Sequence, residues 1–573
     1  MEILKKSGTK YYALAALLAI VYFVIIAVNT FNVPENDDFG MLKFINDWIN
    51  ASSFSERFDI LFVGKGIGYH TLLPMKIILL ISYYVFGVIN LSFLIFISNL
   101  FLIGIVLMLI VFAVRSITVV PSTTPIISLL VTALILNGQN FETSVWAMVG
   151  LCNVGTLLWI LLAIFFTLRK NLSLFYIGIL FSIITVFSNG NGLFILPILV
   201  IALLFQKRKR DTLIFAILVG LAVVSYILLN NGTFYSNFQT VDASSYLERF
   251  SIQSIIAFFT FIGCSAYISA STSYIAIAIG IVIVATYLYL LFTGKFKNNL
   301  FLFSFFSFMI LTAMGVAINR DSQGMADARF RIYGSMFLAI EAVYIIENIK
   351  RSKTFDIALV CMAVLFNISS TLLCYQRVDK LSENKKASTY LLKRTNKGAV
   401  ANLGGEDAKI EMLKIAMFNN ASKSGFFKMP EIPIPVSAPV SCGSGCADVT
   451  SATNDDVVNN TIECGIDTVL DDKDNVAIRG WAYSKTMSMP FTDIYLQLYN
   501  DSSCYEFPTM YQIRPDIIPD RDKKQCGFFV LISKSDIPAD SYFVGIKIRK
   551  RFLIPIKSST QTVRTQIICP ISH

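Results

Sequence analysis

KKSGTKYYALAALLAIVYFVIIAVNTFNVPENDDF, residues 5–39, decides the fold class. From Tyr11 to Phe31 the stretch carries no charged side chain, and a helix of that length matches the ~30 Å hydrocarbon core of a bilayer. No small-residue cleavage site follows it, so it reads as a retained membrane helix rather than a signal peptide. Lys5, Lys6 and Lys10 precede it and put its N-terminus in the cytoplasm.

The rest of the chain extends that reading. Of 573 residues 55% are hydrophobic and only 15% charged, with 47 Phe and 24 Tyr. Soluble domains carry about 25% charged residues, so most of this chain belongs in a lipid bilayer. The net charge of +10, from 48 basic and 38 acidic residues, calls for no nucleic acid, because cytoplasmic loops of membrane proteins collect Lys and Arg.

Basic residues fix a topology. Arg115, Arg169 with Lys170, the run Lys207 to Arg210, Lys295 with Lys297, and Lys350, Arg351 and Lys353 all fall inside if helices span residues 11–31, 91–114, 118–137, 145–168, 172–188, 191–206, 212–230, 272–293, 299–318, 332–349 and 354–374. That makes about eleven crossings, with everything after residue 375 outside. Leu72–Val88 and Ser251–Ser269 are apolar but must not cross, and read as juxtamembrane or re-entrant helices. The expected domains are a membrane domain at 1–375, a helical and linker region at 376–464, and a β-rich domain at 465–573.

Polar residues collect on the outer side. After the first helix, Glu35, Asp37 and Asp38 form a cluster that can supply a general base or hold a divalent cation, although spacing alone favours a solvated loop or a helix cap. The same loop holds a glycine-rich turn ending at His70, one of two histidines, which leaves little for a histidine metal site or a triad. Lys76 can meet a lipid phosphate or snorkel to the interface. Glu142, in Gln139-Asn140-Phe141-Glu142-Thr143-Ser144-Val145-Trp146, is the only carboxylate between Asp59 and Asp211. Its readings are a polar cavity or a helix N-terminus. Asn189-Gly190-Asn191-Gly192 reads as a tight hairpin or a ligand loop. Arg320, Arg329 and Arg331 break the positive-inside bias, which a facing phosphate explains, as does pairing with Asp321 and Asp327.

Past Arg377 the composition turns polar. Pro430 to Pro439, with four prolines, reads as a stiff linker. Alternating runs at Ala477–Tyr483, Asp493–Tyr499, Gly527–Ile532 and Tyr542–Ile548 predict a small β-sandwich. Cys152, Cys264, Cys361 and Cys374 are apolar fillers of the membrane part, whereas Cys442, Cys446, Cys464, Cys504, Cys526 and Cys569 form an even set in an oxidising compartment, which favours disulfides over zinc. Cys504 with Cys526 is the expected pair.

Taken in order, these motifs resemble a family. The acidic pair after the first helix, Gln139-x-x-Glu142-x-x-x-Trp146, the Asn189–Gly192 turn and Ala328-Arg329-Phe330-Arg331-Ile332-Tyr333 look like polytopic bacterial glycosyltransferases of the GT-C fold, over most of residues 1–375. Gly480-Trp481-Ala482 and Arg514-Pro515-Asp516 resemble the β-domain that ends some of these chains. Arg329-Phe330-Arg331 departs from the more usual Arg-Tyr pair, leaving open which arginine meets phosphate. The resemblance implies a bacterial inner-membrane enzyme with a polyprenyl-phosphate sugar as donor and a cell-surface polysaccharide as acceptor. Glucosylation of the lipopolysaccharide O-antigen, altering serotype, is its nearest specific form. In that reading Asp37 or Asp38 is the general base, Arg320, Arg329, Arg331 and Lys76 face the phosphate, and Glu142, Gln139, Trp146, His70 and Asn191 orient the substrate. A transporter or flippase of a lipid-linked glycan is the rival, though the paired halves expected of one are not visible as an internal repeat.

Overall fold

The computed structural model describes residues 2–63, 71–115, 123–230, 251–267, 272–319, 328–349, 352–395, 408–431, 434–441, 462–487, 489, 492–500, 503–514, 517, 526–550 and 560–571. The chain divides into two compact units. Unit 1 comprises residues 1–30, 37–375 and 423–428, and unit 2 comprises 31–36, 376–422 and 429–573.

Unit 1 is helical, as its composition requires, because a bilayer offers the backbone no hydrogen bonds and helices satisfy them internally. Its helices begin with α1 (Glu2–Asn29), α2 (Asp38–Asn50), α3 (Phe54–Phe62), α4 (Leu73–Phe86) and α5 (Leu91–Val114). A broken stretch follows: α6 (Thr124–Ile135), a 3₁₀ turn at Gly138–Asn140, α7 (Phe141–Val145), α8 (Ala147–Val149), a π-helical turn at Gly150–Val154 and α9 (Gly155–Thr167). Then come α10 (Leu172–Val186), α11 (Ile195–Phe205), α12 (Lys209–Leu229), α13 (Ile252–Ile262), α14 (Ser273–Phe292), α15 (Leu300–Asn319) and α16 (Arg331–Asn348). Last is α17 (Lys353–Thr395), whose residues from Gln376 onward belong to unit 2.

Among the described residues, eight helices are long and apolar enough to cross a membrane: Gly8–Asn29, Leu91–Val114, Thr124–Val145, Ala147–Thr167, Lys209–Leu229, Ser273–Phe292, Lys295–Ile318 and Lys353–Arg394. The chain is a polytopic membrane protein. Their outer faces are bare hydrocarbon: on α1 Leu17, Ile20, Val24 and Val28 are exposed, and on α12 Leu213, Ile217, Leu221, Val224 and Leu228. These recur at helical spacing as lipid-facing stripes, which water would not tolerate at that extent.

The other three expected crossings differ. α10 has 15 residues and rises only about 22 Å, and Gly190–Phe205 is likewise short. α16 is long enough but carries Arg331, Glu341 and Glu347, and most of its surface is buried. α4 and α13, with 14 and 11 residues, are short apolar helices as well. Turn chemistry delimits these pieces: Gly87, at φ +71°, closes α4 in the left-handed conformation that glycine accepts, and the Asn90 side chain caps α5 by accepting from Phe93 N.

Among its described residues unit 2 holds the end of α17, α18 (Ala408–Lys423, to Ser422) and nine strands, which form two sheets over one core. The strands are β1 (Val440–Ser441), β2 (Ile462–Asp471), β3 (Asn475–Ser484), β4 (Thr492–Tyr499), β5 (Cys504–Pro508), β6 (Met510–Gln512), β7 (Gly527–Ser533), β8 (Asp540–Lys550) and β9 (Thr560–Ile571). One sheet runs β1-β5-β4-β8-β9 and the other β2-β3-β7-β6, with antiparallel pairing throughout. Val476, Ile478, Phe528 and Val530 of one meet Leu496, Leu498, Val544 and Ile546 of the other in a closed core, the sandwich expected from alternation. The sheet region reaches back to Val440 and Ile462, earlier than the expected boundary at 465.

The edge strand β6 would expose unpaired backbone. Glu383 and Asn384 of α17 supply acceptors to Tyr511 N at 3.0 Å and Ile513 N at 3.1 Å, standing in for a neighbouring strand. The proline-rich stretch is no free linker: Ser437 N donates to Leu531 O at 2.7 Å and Lys393 Nζ to Pro430 O at 3.0 Å. The disulfide expectation also fails here. All eight described cysteines are thiols, and Cys504 lies on β5 while Cys526 precedes β7 in the other sheet. Cys442 and Cys446 lie outside the described residues.

Candidate functional site

The broken helix between α6 and α9 is the centre of the site. A helix that stops at membrane depth leaves its last four carbonyls without partners. Here three asparagines take all four: Asn367 Nδ2 donates to Ala133 O and Leu136 O at 2.8 and 2.7 Å, Asn137 Nδ2 to Leu134 O at 2.7 Å, and Asn140 Nδ2 to Ile135 O at 2.7 Å. Gly138 lets the turn pass close to α17, since a Cβ there would lie 2.6 Å from Thr371 Cα. Asn99 fastens the next piece, donating from Nδ2 to Ser144 O at 2.9 Å and accepting from Tyr22 of α1. The π turn at Gly150–Val154 adds the local irregularity that often accompanies functional sites.

Residues far apart in sequence are held on this scaffold. Arg331, 1% exposed, donates from Nη1 to Gln139 Oε1 at 2.7 Å. Glu142 Oε2 accepts from Arg329 N at 3.0 Å, while Thr143 Oγ1 donates to Arg329 O at 3.2 Å. Residue 329 is therefore gripped by both backbone groups, and Glu142 sits at the N-terminal entry to α16, where a carboxylate complements the helix dipole. The Arg329 guanidinium lies over the Phe330 ring, 5.2 Å from its centroid.

The two aspartates part company. Asp38 is 2% exposed and its Oδ1 accepts from Met148 N at 2.9 Å, tying the start of α2 to the helical turn after Trp146. Asp37, at the N-cap position of α2, is exposed and makes no side-chain capping bond. Cys152 of the π turn lies within electrostatic reach of both acids and of Tyr333, and Tyr333 is in side-chain reach of Asn191. Asn191 Nδ2 donates to Thr312 Oγ1 at 3.5 Å. Trp146 Nε1 and Asn191 Oδ1 are buried atoms without a hydrogen-bond partner among the described residues. A donor and an acceptor in this condition fit a ligand hydroxyl.

Other expected site residues fall elsewhere. Lys76 is buried, with Nζ donating to Ile60 O at 2.8 Å and Leu61 O at 2.9 Å at the end of α3, and lies 5.7 Å from the Phe44 centroid. It closes a helix C-terminus, which cations suit. Glu35 belongs to unit 2, where Lys385 Nζ is 2.9 Å away. His70 and Arg320 lie outside the described residues. Among the described residues no group of three or more His, Cys, Asp or Glu side chains is arranged to hold a metal ion.

Sequence reasoning passed over Asn137, Asn140 and Asn367. The first two flank Gln139, so three amides in four residues were the available signal, and Asn367 had only its polarity in an apolar run. The chain matches no family model, and no curated protein is significantly similar to it.

Proposed function

We propose that the chain is a membrane glycosyltransferase of the GT-C type, moving a sugar from a polyprenyl-phosphate donor to a cell-surface glycan at the outer face of the bacterial inner membrane. One observation carries the reading: three separated motifs, 139–146, 189–192 and 328–333, together with the acidic pair 37–38, meet around a broken membrane helix. Taken singly, each of those motifs has a plain structural reading.

Asp37 is the general base in this scheme, because its carboxylate is exposed while that of Asp38 is engaged with backbone. It takes the proton of the acceptor hydroxyl as the oxygen attacks the anomeric carbon. The bond from that carbon to the phosphate oxygen breaks, and the phosphate leaves with the electron pair. Arg329, held by its backbone and half-buried, offers its guanidinium to the leaving phosphate. Arg331, buried and bonded to Gln139, positions that loop. Trp146 and Asn191 orient the sugar through their unsatisfied donor and acceptor. Glucose transfer to an O-antigen is the specific form that the motif order suggests, and the β-rich unit 2 lies outside the cell membrane in this topology.

The test uses membranes containing the protein, a polyprenyl-phosphate sugar labelled in the sugar, and surface polysaccharide as acceptor. Label passes to polysaccharide with wild type and falls at least about 100-fold with Asp37→Asn at matched expression. Wild-type transfer by Asp37→Asn removes the assigned base, and absence of transfer with any lipid-linked sugar removes the function.

A further inference from the structure

The outward face of the β2-β3-β7-β6 sheet in unit 2 carries a feature that the transfer chemistry leaves unused. Along β3, Val476, Ile478 and Ala482 point into the core, so alternation puts Arg479, Trp481 and Tyr483 on the opposite face, where Trp481 and Tyr483 are half-buried and Tyr483 also packs against the margin of the core. The register sets Trp481 beside Gly465 of β2 and Gly527 of β7, and Gln512 of β6 completes the row. A Cβ at Gly465 would come 2.8 Å from Trp481 Nε1, so the indole lies across that strand where any larger residue would tip it away. On the other side a Cβ at Gly527 would come 2.5 Å from Arg514 Cγ, and the Arg514 guanidinium pairs with Asp467 of β2. The two motifs Gly480-Trp481-Ala482 and Arg514-Pro515-Asp516 thus share this face through Trp481 and Arg514.

Tyr483 extends the surface. Its ring centroid is 6.1 Å from that of Trp481 and the planes are 19° apart. Its hydroxyl donates to Glu463 Oε2, while Glu463 Oε1 is 2.9 Å from Lys485 Nζ. Covering a bare glycine on the neighbouring strand explains the Trp481 ring. It does not explain a second ring set nearly parallel to the first and bordered by an exposed carboxylate and ammonium. That combination fits a pyranose: the C–H face of the ring packs on aromatic faces, and its hydroxyls bond to the flanking ions.

We propose that this face is a saccharide-binding surface, with Trp481 and Tyr483 stacking on hexose rings and Glu463 and Lys485 bonding their hydroxyls. It deepens the transferase reading by giving a polymeric acceptor a hold on unit 2, and rests on that reading only for the identity of the glycan. The probe is lipid-free polysaccharide released by mild acid from the surface of cells that make the protein, applied to immobilised full-length protein in detergent. Wild type binds saturably, Trp481→Ala weakens binding at least tenfold, Trp481→Phe retains part of it, and Lys485→Ala, at an exposed site, weakens it severalfold. No saturable binding by wild type, or wild-type affinity in both Trp481→Ala and Lys485→Ala, overturns the proposal. The same preparations are assayed for transfer to a short acceptor at saturation, which reads the transfer centre apart from this surface. Binding without transfer would remove the enzyme and leave this surface, and transfer without binding would do the reverse.

Discussion

The two units partner their charges in different proportions. In unit 1 the buried and half-buried ionisable groups mostly turn to backbone and uncharged side-chain partners: Asp38 to Met148 N, Glu142 to Arg329 N, Lys76 to the carbonyls of Ile60 and Leu61, Arg331 to the Gln139 amide, and Glu341 to the Thr286 hydroxyl. In unit 2 ion pairs are more frequent, as in Glu35 with Lys385, Asp467 with Arg514, Asp471 with Lys534 and Glu506 with Lys547, while Lys380 donates to Thr492 O and Glu383 accepts from Tyr511 N. The difference follows from helix ends. A membrane unit with broken helices has orphan backbone groups at depth, and side chains that satisfy them hold the loops where chemistry can occur. A sandwich has most of its backbone already paired, so fewer of its charges are drawn to backbone groups and more of them pair with one another. Side chains of unit 1 should therefore affect activity and assembly steeply, and ion pairs of unit 2 only slightly.

The largest expected effect separates neighbours. Asp37→Asn should lower transfer about 10²-fold to 10⁴-fold, the range for a lost general base, with little change in thermal stability. Asp38→Asn should keep most activity, because an amide oxygen still accepts from Met148 N, whereas Asp38→Ala should cost about 1 kcal/mol in a melting experiment, the usual loss for a helix-start acceptor. Equal transfer by Asp37→Asn and wild type, or loss only at Asp38, would reverse the roles.

The arginines come next. Arg329→Lys keeps charge but loses the guanidinium fork, so transfer should fall nearly as far as in Arg329→Ala, with donor affinity reduced. Arg331→Ala should act through folding instead, leaving Gln139 with a broken bond in a buried place at a cost of about 1–3 kcal/mol. Rates against donor concentration, read beside melting curves, distinguish the two. Topology gives a third check: introduced cysteines near Asn189 and Ser322 should react with an impermeant reagent from outside, and those near Arg169 and Arg208 only after permeabilisation.

What the sequence disclosed and what it hid follow the same division. Long charge-free runs such as 11–31 and 91–114 announce themselves, because burying that much apolar surface leaves a bilayer as the natural solvent. The polar motifs at 139–146 and 328–333 were visible as residues out of place, but their contact across nearly two hundred positions was not. The break itself was legible, since the expected span 118–137 stops within two residues of the end of α6 at Ile135, but nothing along the chain showed that Asn137, Asn140 and Asn367 together satisfy the carbonyls exposed there. In unit 2 the inner strands β3, β4, β7 and β8 were legible from alternation. β2 was not, since Glu463, Thr468 and Asp471 interrupt its apolar positions and its burial alternates only weakly. The expected Cys504–Cys526 bridge failed because spacing along the chain says nothing about which sheet each strand joins.

The smallest effect probes the unit 2 side of the comparison. Asp472 accepts a hydrogen bond from the backbone N–H of Lys473 at 3.0 Å and pairs with Arg394, and the two together hold its carboxyl below the usual range. A carboxyl depressed in the folded state adds stability above its unfolded pKa, and that contribution disappears as pH falls through the folded value. Asp472→Asn keeps an oxygen for Lys473 N and loses only the pairing with Arg394, whose side chain is half exposed. The melting temperature of unit 2 should therefore fall by less than about 4 °C at neutral pH and low salt, with the difference shrinking in high salt and vanishing in strong acid. A drop of 10 °C or more, or one that grows as pH is lowered, would mean that surface ion pairs bear structural weight in unit 2 as buried polar groups do in unit 1, and the contrast between the units would not hold.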